Sequence, residues 1–319
     1  MAVQVPNNLM RLYFRLKMYR SSGMDFQIFF SNIMGYLDQN FVPIKPYGNW
    51  GDGGNDGYNP ASKHYYQIYA PLATTTPRPL DELNKAVTDY EKLETKWGEI
   101  NGYSFVINDK FTNIPALLQN DFESFKQQKN IQQGQIIHAQ KLQSLFMSLT
   151  DDQKLDVLEL HCLDEGDNTE FEPTIISELI THLIENNENC FNFLDGEAPD
   201  FDEKVIFNKL NPILAAKLTS KYAEVFKIDE FLAIQDDGMA QDLALCINSI
   251  YKDINRSIPT EDVDRNALIY LGLIESLVPE HAKNNKLTKR GYTSVAEIII
   301  AKYFSTCDVY EDPNSTIAS

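Results

Sequence analysis

The chain has 319 residues, of which 43% are hydrophobic and 23% are charged, a composition typical of folded globular proteins and unlike that of disordered or fibrous chains. Its net charge of −18 is unevenly spread: residues 1–150 carry 14 Lys/Arg against 13 Asp/Glu, whereas residues 151–319 carry 14 against 33. The acidic second half would repel a polyanion, so we expect any nucleic-acid contact in the first half.

The sequence carries no signal for membrane insertion or secretion. No apolar run reaches the length of about 18 residues that a membrane-spanning helix needs. The first 20 residues lack the apolar core of a signal peptide. The four cysteines follow no disulfide spacing, which is typical of a reducing compartment. We therefore expect a cytoplasmic protein without membrane contact.

The pattern of the first 130 residues predicts a mixture of helices and strands. The N-terminal helix is basic, because it contains four cations and no acid occurs before Asp25. These cations are Arg11, Arg15, Lys17 and Arg20. The apolar spacing then predicts a helix over 24–37, strands at 41–45, 56–58 and 64–70, a helix from Leu80 to Trp97, and a strand at 103–108. The basic helix face is either simply solvated or a contact surface for phosphate groups.

The remainder of the chain is predicted to be helical. Thr150 and Gln153 fit a capping box that opens a helix. The predicted helices lie near 114–129, 134–149, 150–162, 173–187, 210–225, 238–256, 262–277 and 292–305. The acidic stretch 193–204 is expected to be a loop between subdomains. We predict an α+β protein with one domain over 1–130 and an acidic helical domain over 131–319.

A glycine-rich turn in the stretch 46–71 holds the most informative polar residues. The segment GDGGNDGY contains Asp52 and Asp56, and Gln67 follows on the next predicted strand, within YYQIYAP. Carboxylate and amide oxygens are ligands that Mg²⁺ accepts. The pattern therefore indicates a candidate metal site. Alternatively, the two aspartates form Asx-turns and have only a structural role.

This motif resembles the Mrr-like branch of the PD-(D/E)xK nuclease superfamily, whose core also has the order helix, three strands, helix, strand. The resemblance implies a restriction-endonuclease-like mixed sheet flanked by helices, and a DNA endonuclease that uses Mg²⁺ or Mn²⁺. It assigns metal binding to Asp56, Asp52 and Gln67. In that family a lysine stands two residues after the Gln, where this chain has Tyr69. We expect Tyr69 to donate a hydrogen bond to the phosphate instead.

Other positions complete the predicted site. Gln27 stands where Mrr-like enzymes carry an acid on their first helix, and it is expected to face the metal. Lys45 and Lys63 are the candidates to replace the missing cation. We predict that Lys63 and the four cations of the first helix contact double-stranded DNA.

The variant of the turn followed by QxYAP resembles the nuclease-type effector of ABC three-component defence systems, which are related to Lamassu. Three further segments are similar to parts of such effectors: YSFVINDK at 103–110, KVIFNKL at 204–210 and SVAEIIIAKYFSTCDVYEDP at 294–313. The resemblance implies two partners, an SMC-like ABC ATPase and a small middle component, which keep the nuclease inactive until foreign DNA is sensed. Activation would then involve release or homo-oligomerisation. The alternative is a subunit that binds DNA or protein without catalysis.

Overall fold

In a computed structural model of the chain, the described residues are 6–44, 55–72, 77–160, 173–186, 200–210, 212–235, 237–283, 285–306 and 309–311. The chain divides into two compact units, an N-terminal unit spanning Gln4–Leu160 and a C-terminal unit spanning His161–Ser319. The division follows Leu160 rather than residue 130, because the elements between these positions pack within the N-terminal unit. No helix among the described residues is both long and apolar enough to cross a bilayer.

The centre of the N-terminal unit is a mixed sheet. Its five strands are β1 (Val42–Pro43), β2 (Gly57–Asn59), β3 (His64–Tyr69), β4 (Gly102–Ile107) and β5 (Ile136–Ile137), arranged in the order β1-β2-β3-β4-β5. The first three pair in antiparallel fashion, whereas β4 runs parallel to β3 and to β5. Because β3 and β4 are parallel, both end at the same edge of the sheet.

Helices cover both faces of this sheet. They are α1 (Asn7–Arg20), α2 (Gly23–Leu37), α3 (Pro79–Trp97), α4 (Ala116–Gln128), α5 (Ala139–Met147) and α6 (Asp151–Val157). Successive β3 residues point to opposite faces. Tyr65 is therefore buried in the cluster formed with α3 and α4, whereas the ring of Tyr66 lies 5.7 Å from that of Phe30 on α2. Phe14 of α1 joins the second face through Phe29 and Phe146, at centroid distances of 5.4 and 4.9 Å.

The α+β class predicted from the sequence is confirmed, as is the order helix, three strands, helix, strand over residues 23–107. The capping box at Thr150 is also present. The predicted helix over 134–149 is wrong at its start, because Ile136 and Ile137 pair with β4 and only Ala139–Met147 is helical. Two apolar residues in succession do not distinguish a buried strand from the first turn of a helix.

The C-terminal unit consists of helices wherever the structure describes it. These are α7 (Pro173–Glu185), α8 (Phe201–Phe207), α9 (Pro212–Tyr222), α10 (Phe226–Ala233), α11 (Asp237–Ser257), α12 (Arg265–Leu277), α13 (Glu280–Lys283) and α14 (Lys286–Ser305). The acidic stretch predicted as a loop contains the start of α8. The carboxylate of Asp200 caps this helix by accepting hydrogen bonds from the amides of Asp202 and Glu203, both at 3.0 Å.

Two segments far apart in the sequence are joined in this unit. Lys204 is fully buried and donates a 2.7 Å hydrogen bond to the carbonyl of Phe304, near the C-terminal end of α14. Asn208, also buried, contacts Glu311 twice: its Nδ2 donates to the carbonyl at 2.9 Å, and its Oδ1 accepts from the amide at 3.1 Å. The described residues of the segments KVIFNKL and SVAEIIIAKYFSTCDVYEDP therefore pack together.

Candidate active site

Asp56 lies directly before β2, and its backbone forms hydrogen bonds with β3 on one side and with the residue next to β1 on the other. Its amide donates to the carbonyl of Tyr66 on β3 at 2.8 Å, and its carbonyl accepts from the amide of Ile44, next to β1, at 3.0 Å. Its side chain is partly buried. Gly57 follows because the ring of Phe41 occupies the space of a side chain there: a Cβ atom would lie 2.6 Å from that ring. At this position glycine permits internal packing.

The side chains of Asp56 and Gln67 meet across β2 and β3. Asp56 Oδ2 accepts a 3.0 Å hydrogen bond from Gln67 Nε2 and a 2.7 Å bond from the amide of Ile68. Because a carboxylate only accepts hydrogen bonds, Gln67 must turn its NH₂ group toward Asp56, and its oxygen then points elsewhere. That oxygen, Oε1, is buried and has no hydrogen-bond partner among the described residues. A buried acceptor without a donor costs about 1–3 kcal/mol.

Gln27 approaches the same region from α2. Its Nε2 donates a 3.0 Å hydrogen bond to the carbonyl of Ile44, whose own amide bonds to Asp56. The Gln27 amide is thus linked to the backbone of Asp56 through one residue, and its role toward a metal ion stays a prediction. Within the described part of the chain, the side chains of Gln27 and Asp56 share no hydrogen bond.

Tyr69 lies on the same face of β3 as Gln67, two residues further along. Its ring is nearly parallel to that of Phe105, with centroids 6.5 Å apart and an interplanar angle of 13°, and it packs against the core cluster below α3. Its hydroxyl oxygen accepts a 2.8 Å hydrogen bond from the amide of Arg78. The hydroxyl proton is not used in this bond and remains available for donation.

The other aromatic residues of β3 have structural roles. Tyr65 and Tyr66 are only 6% and 8% exposed, so they belong to the core and are not platforms for base stacking. His64 stacks on Tyr66 with centroids 4.6 Å apart, and its Nε2 lies 2.9 Å from the hydroxyl of Ser104. Burial lowers the pKa of His64 to about 4, partly opposed by Asp38, so the ring is neutral at pH 7.

Of the two lysines predicted to replace the missing cation, the structure describes Lys63. Lys63 precedes β3 and forms an ion pair with Glu99 at 3.2 Å. It is thus four residues, about 13 Å along an extended strand, from Gln67 and does not occupy the place of the missing lysine. Lys45 and Asp52 lie outside the described residues.

On α1, Arg11 and Arg20 are exposed. Arg15 lies over the ring of Phe111 at 5.9 Å. Lys17 is 3.6 Å from Glu159. All four residues lie on a helix, as predicted, and their contact with DNA stays a prediction.

The residues that follow β4 have no role predicted from the sequence. The amide of Asn108 donates to the carbonyl of Tyr69 at 2.9 Å, so the chain leaving β4 lies directly beside the end of β3. Lys110 comes two residues later and is partly buried. The sequence contains a feature that could have predicted such a role: the charged residues Asp109 and Lys110 follow a buried strand, and charged residues at such places often have a function.

The donor set of Asp56 and Gln67 fits a hard divalent cation. A carboxylate and an amide oxygen are both oxygen ligands, and an ion shared by them requires the Gln67 amide to rotate so that Oε1, which has no partner among the described residues, replaces Nε2 beside Asp56. Within the described ranges, no group of three or more His, Cys, Asp or Glu residues could hold a metal ion. A site built from these residues would therefore leave several coordination positions to water, as is usual for Mg²⁺.

Comparison with known proteins gives a match to part of the C-terminal unit. Residues 174–311 match the family described as C-terminal domain 10 of the ABC-three component (ABC-3C) systems. This similarity supports the predicted relation to components of ABC-3C systems and covers most of the C-terminal unit. The match does not include the N-terminal unit, where the nuclease assignment stays a prediction. No curated protein and no solved structure gives a significant match to the chain.

Proposed function

We propose that the chain is the DNA-cleaving effector of an ABC-three component defence complex: its C-terminal unit docks onto partner subunits and its N-terminal unit hydrolyses phosphodiester bonds with Mg²⁺ or Mn²⁺. The single observation that carries the catalytic half is the pairing of Asp56 with Gln67, at 3.0 Å, with Gln67 Oε1 buried and unpartnered among the described residues. The similarity of residues 174–311 to an ABC-3C domain supports the docking half.

Asp56 and Gln67 would hold the cation through a carboxylate and an amide oxygen, with Asp52 of the same turn as a further ligand. When bound, such an ion polarises the phosphodiester and activates a water molecule for attack. The protein's own contribution is to orient the ligands. The amide of Ile68 fixes the Asp56 carboxylate, and the NH₂ group of Gln67 also bonds to it. Rotation of the Gln67 amide on metal binding would bring its oxygen to the ion.

The neighbouring residues position this pair and its substrate. Gln27 bonds to the carbonyl of Ile44 and so fixes the backbone on which Asp56 stands. Tyr69 takes the position of the motif lysine and supplies a hydroxyl proton that can be donated to a phosphate oxygen. A hydroxyl stabilises developing negative charge less than an ammonium group, so we expect slow cleavage.

The charge of the two halves supports control by partners. The acidic second half disfavours DNA and favours basic protein surfaces, which limits unspecific DNA binding by the free subunit. By resemblance, the partners are an SMC-like ABC ATPase and a small middle component. We expect co-purification of the full chain with this ATPase at low salt and its loss at high salt, because surface charges are screened.

The second candidate function is a subunit that binds DNA or protein without catalysis. The observation that favours it is Tyr69, whose ring packs on the core and whose hydroxyl is already bonded to the Arg78 amide. A plasmid-cleavage assay of the full chain with its partner subunits separates the two. Nicking in Mg²⁺ or Mn²⁺ that EDTA abolishes supports the nuclease, whereas DNA binding without cleavage in either metal supports the second function.

A further inference from the structure

The segment after β4 is fixed at the edge of the sheet where β3 also ends. The backbone of Asn108 bonds to Tyr69 at the end of β3. The side chain of Asn108 is buried, and its Nδ2 donates to the carbonyls of Met18 and Ser21 at 2.9 and 3.0 Å. The end of β4 is thereby connected both to the strand that carries Gln67 and to the C-terminal end of the basic helix α1.

The backbone of this segment adopts a conformation that its residues do not favour. Lys110, Phe111 and Asn113 have positive φ angles of 48°, 60° and 68°. The left-handed region costs a non-glycine residue about 1–2 kcal/mol. The carboxylate of Asp109 maintains the turn by accepting hydrogen bonds from the amides of Asn113, at 3.0 Å, and Ala139, at 2.7 Å. Strained backbone that is held by surrounding bonds is frequent at binding and catalytic sites.

The ammonium group of Lys110 is partly buried without compensation. It forms no hydrogen bond or ion pair with any residue that the structure describes. Burial lowers the pKa of Lys110, which shows that the folded protein disfavours its charge. Other lysines of the N-terminal unit are paired: Lys92 with Asp89 at 2.7 Å and Lys126 with Glu123 at 3.1 Å. Lys110 is therefore a partly buried cation without an ion-pair partner among the described residues, which costs stability.

The surroundings of this lysine are also basic. Phe111, the next residue, packs on Tyr19 of α1 with centroids 5.8 Å apart, and Arg15 lies over its ring. Arg20 is exposed at the end of the same helix. The nearest acid in the sequence, Asp109, already accepts two backbone hydrogen bonds. Lys110 is thus followed by a residue that packs on the basic helix α1, at the edge where β3 and β4 end.

We propose that Lys110 is a phosphate-binding residue, whose ammonium group contacts the DNA backbone at the end of β4 and positions the strand for cleavage at Asp56 and Gln67. This inference rests on the proposed DNA substrate. Lysine binds phosphate as a point charge, and such contacts fix the position of a duplex without reading its sequence. The bound phosphate would be the negatively charged partner that Lys110 lacks within the described part of the chain.

The test is equilibrium binding of a short fluorescent DNA duplex to the full-length protein in EDTA, measured at several salt concentrations. Lys110→Met keeps the aliphatic stem and removes the charge. We expect weaker binding for all duplex sequences, and a slope of log K against log salt that is smaller in magnitude by about 0.9. Lys110→Arg should keep the wild-type slope. Lys92→Met, which removes an exposed and ion-paired lysine, is the matched control and should also leave it unchanged.

Folding of the variants is checked by thermal unfolding. Because the fold disfavours the charge of Lys110, the melting temperature of Lys110→Met should equal or exceed that of the wild type. Equal slopes for Lys110→Met and wild type, or a wild-type chain that does not bind the duplex, would overturn the inference. A slope that depends on Lys110 in a chain that never cleaves DNA would leave this inference standing and refute the proposed nuclease.

Discussion

The carboxylate of Asp56 and the amide of Gln67 lie side by side across β2 and β3, with Asp56 Oδ2 3.0 Å from Gln67 Nε2. This pair defines the candidate active site more sharply than the glycine-rich turn does, because it fixes the direction of both side chains. The amide oxygen of Gln67 is left buried and without a partner among the described residues. A cation bound by Asp56 would satisfy this oxygen once the Gln67 amide rotates to exchange Nε2 for Oε1.

Replacing Gln67 by Glu should make the stability of the N-terminal unit depend on divalent cations. Two carboxylates would then face each other at hydrogen-bond distance, which costs about 2 kcal/mol without a cation between them. In EDTA, Gln67→Glu should therefore unfold at a lower temperature than the wild type, and Mg²⁺ or Mn²⁺ should restore most of the loss. Differential scanning calorimetry of the full chain measures both.

The matched control for this variant is Gln119→Glu on α4. Gln119 also donates a 3.0 Å hydrogen bond to a carboxylate, that of Glu123, but at a place with no other sign of a metal site. Its substitution places two carboxylates one helical turn apart on a partly buried helix face, where Lys126 lies 3.1 Å from Glu123. A melting temperature that responds to Mg²⁺ equally in both variants would contradict a metal site at Asp56 and Gln67.

His64 should make the N-terminal unit less stable in mild acid. Its folded pKa of about 4 lies below the ordinary value of 6.5, so between these values the unfolded chain binds a proton that the folded chain does not. Stability is therefore unaffected at pH 8 and falls as the pH drops below 6.5. At pH 5 the loss is about 2 kcal/mol.

Urea unfolding at pH 8 and pH 5, with tryptophan fluorescence, measures this loss. Both tryptophans of the chain, Trp50 and Trp97, belong to the N-terminal unit, so the signal reports on that unit. His64→Gln should reduce the difference between the two pH values by about 2 kcal/mol. An unchanged difference would show that His64 is protonated as easily in the folded protein as in the unfolded chain.

Asn208 should be among the more sensitive positions of the C-terminal unit. Asn208→Ala removes both hydrogen bonds to Glu311 and leaves a backbone amide and carbonyl without their partner. We expect a loss of about 2–3 kcal/mol. Lys209→Gln, an exposed neighbour, should have no effect. Circular dichroism during thermal unfolding compares them, and equal melting temperatures would contradict a stabilising contact between residues 204–210 and 294–311.

The sequence was sufficient to predict the main elements because their apolar periodicity is strong. It missed β5, since a strand of two residues has no periodicity of its own, and α8, whose acidic start was interpreted as a loop. The Asp200 cap of α8 was a usable signal. The pairing of Asp56 with Gln67 follows from the strand register, which a motif alone does not specify. The location of Lys110 near the site could not be predicted, because it depends on β4 being the strand that ends beside β3, which is a property of the tertiary fold.

The most direct test of the central claim is DNA cleavage by the full chain with its partner subunits in Mg²⁺, comparing wild type with Asp56→Asn. The variant retains the size of the side chain but loses its charge, and a metal ligand of this kind should be worth at least about 100-fold in rate. Asp89→Asn, which removes a carboxylate paired with Lys92 on α3, should cleave at the wild-type rate. We predict loss of cleavage in Asp56→Asn only. Cleavage at equal rates by wild type and Asp56→Asn, or no cleavage by the wild-type complex, would contradict the account.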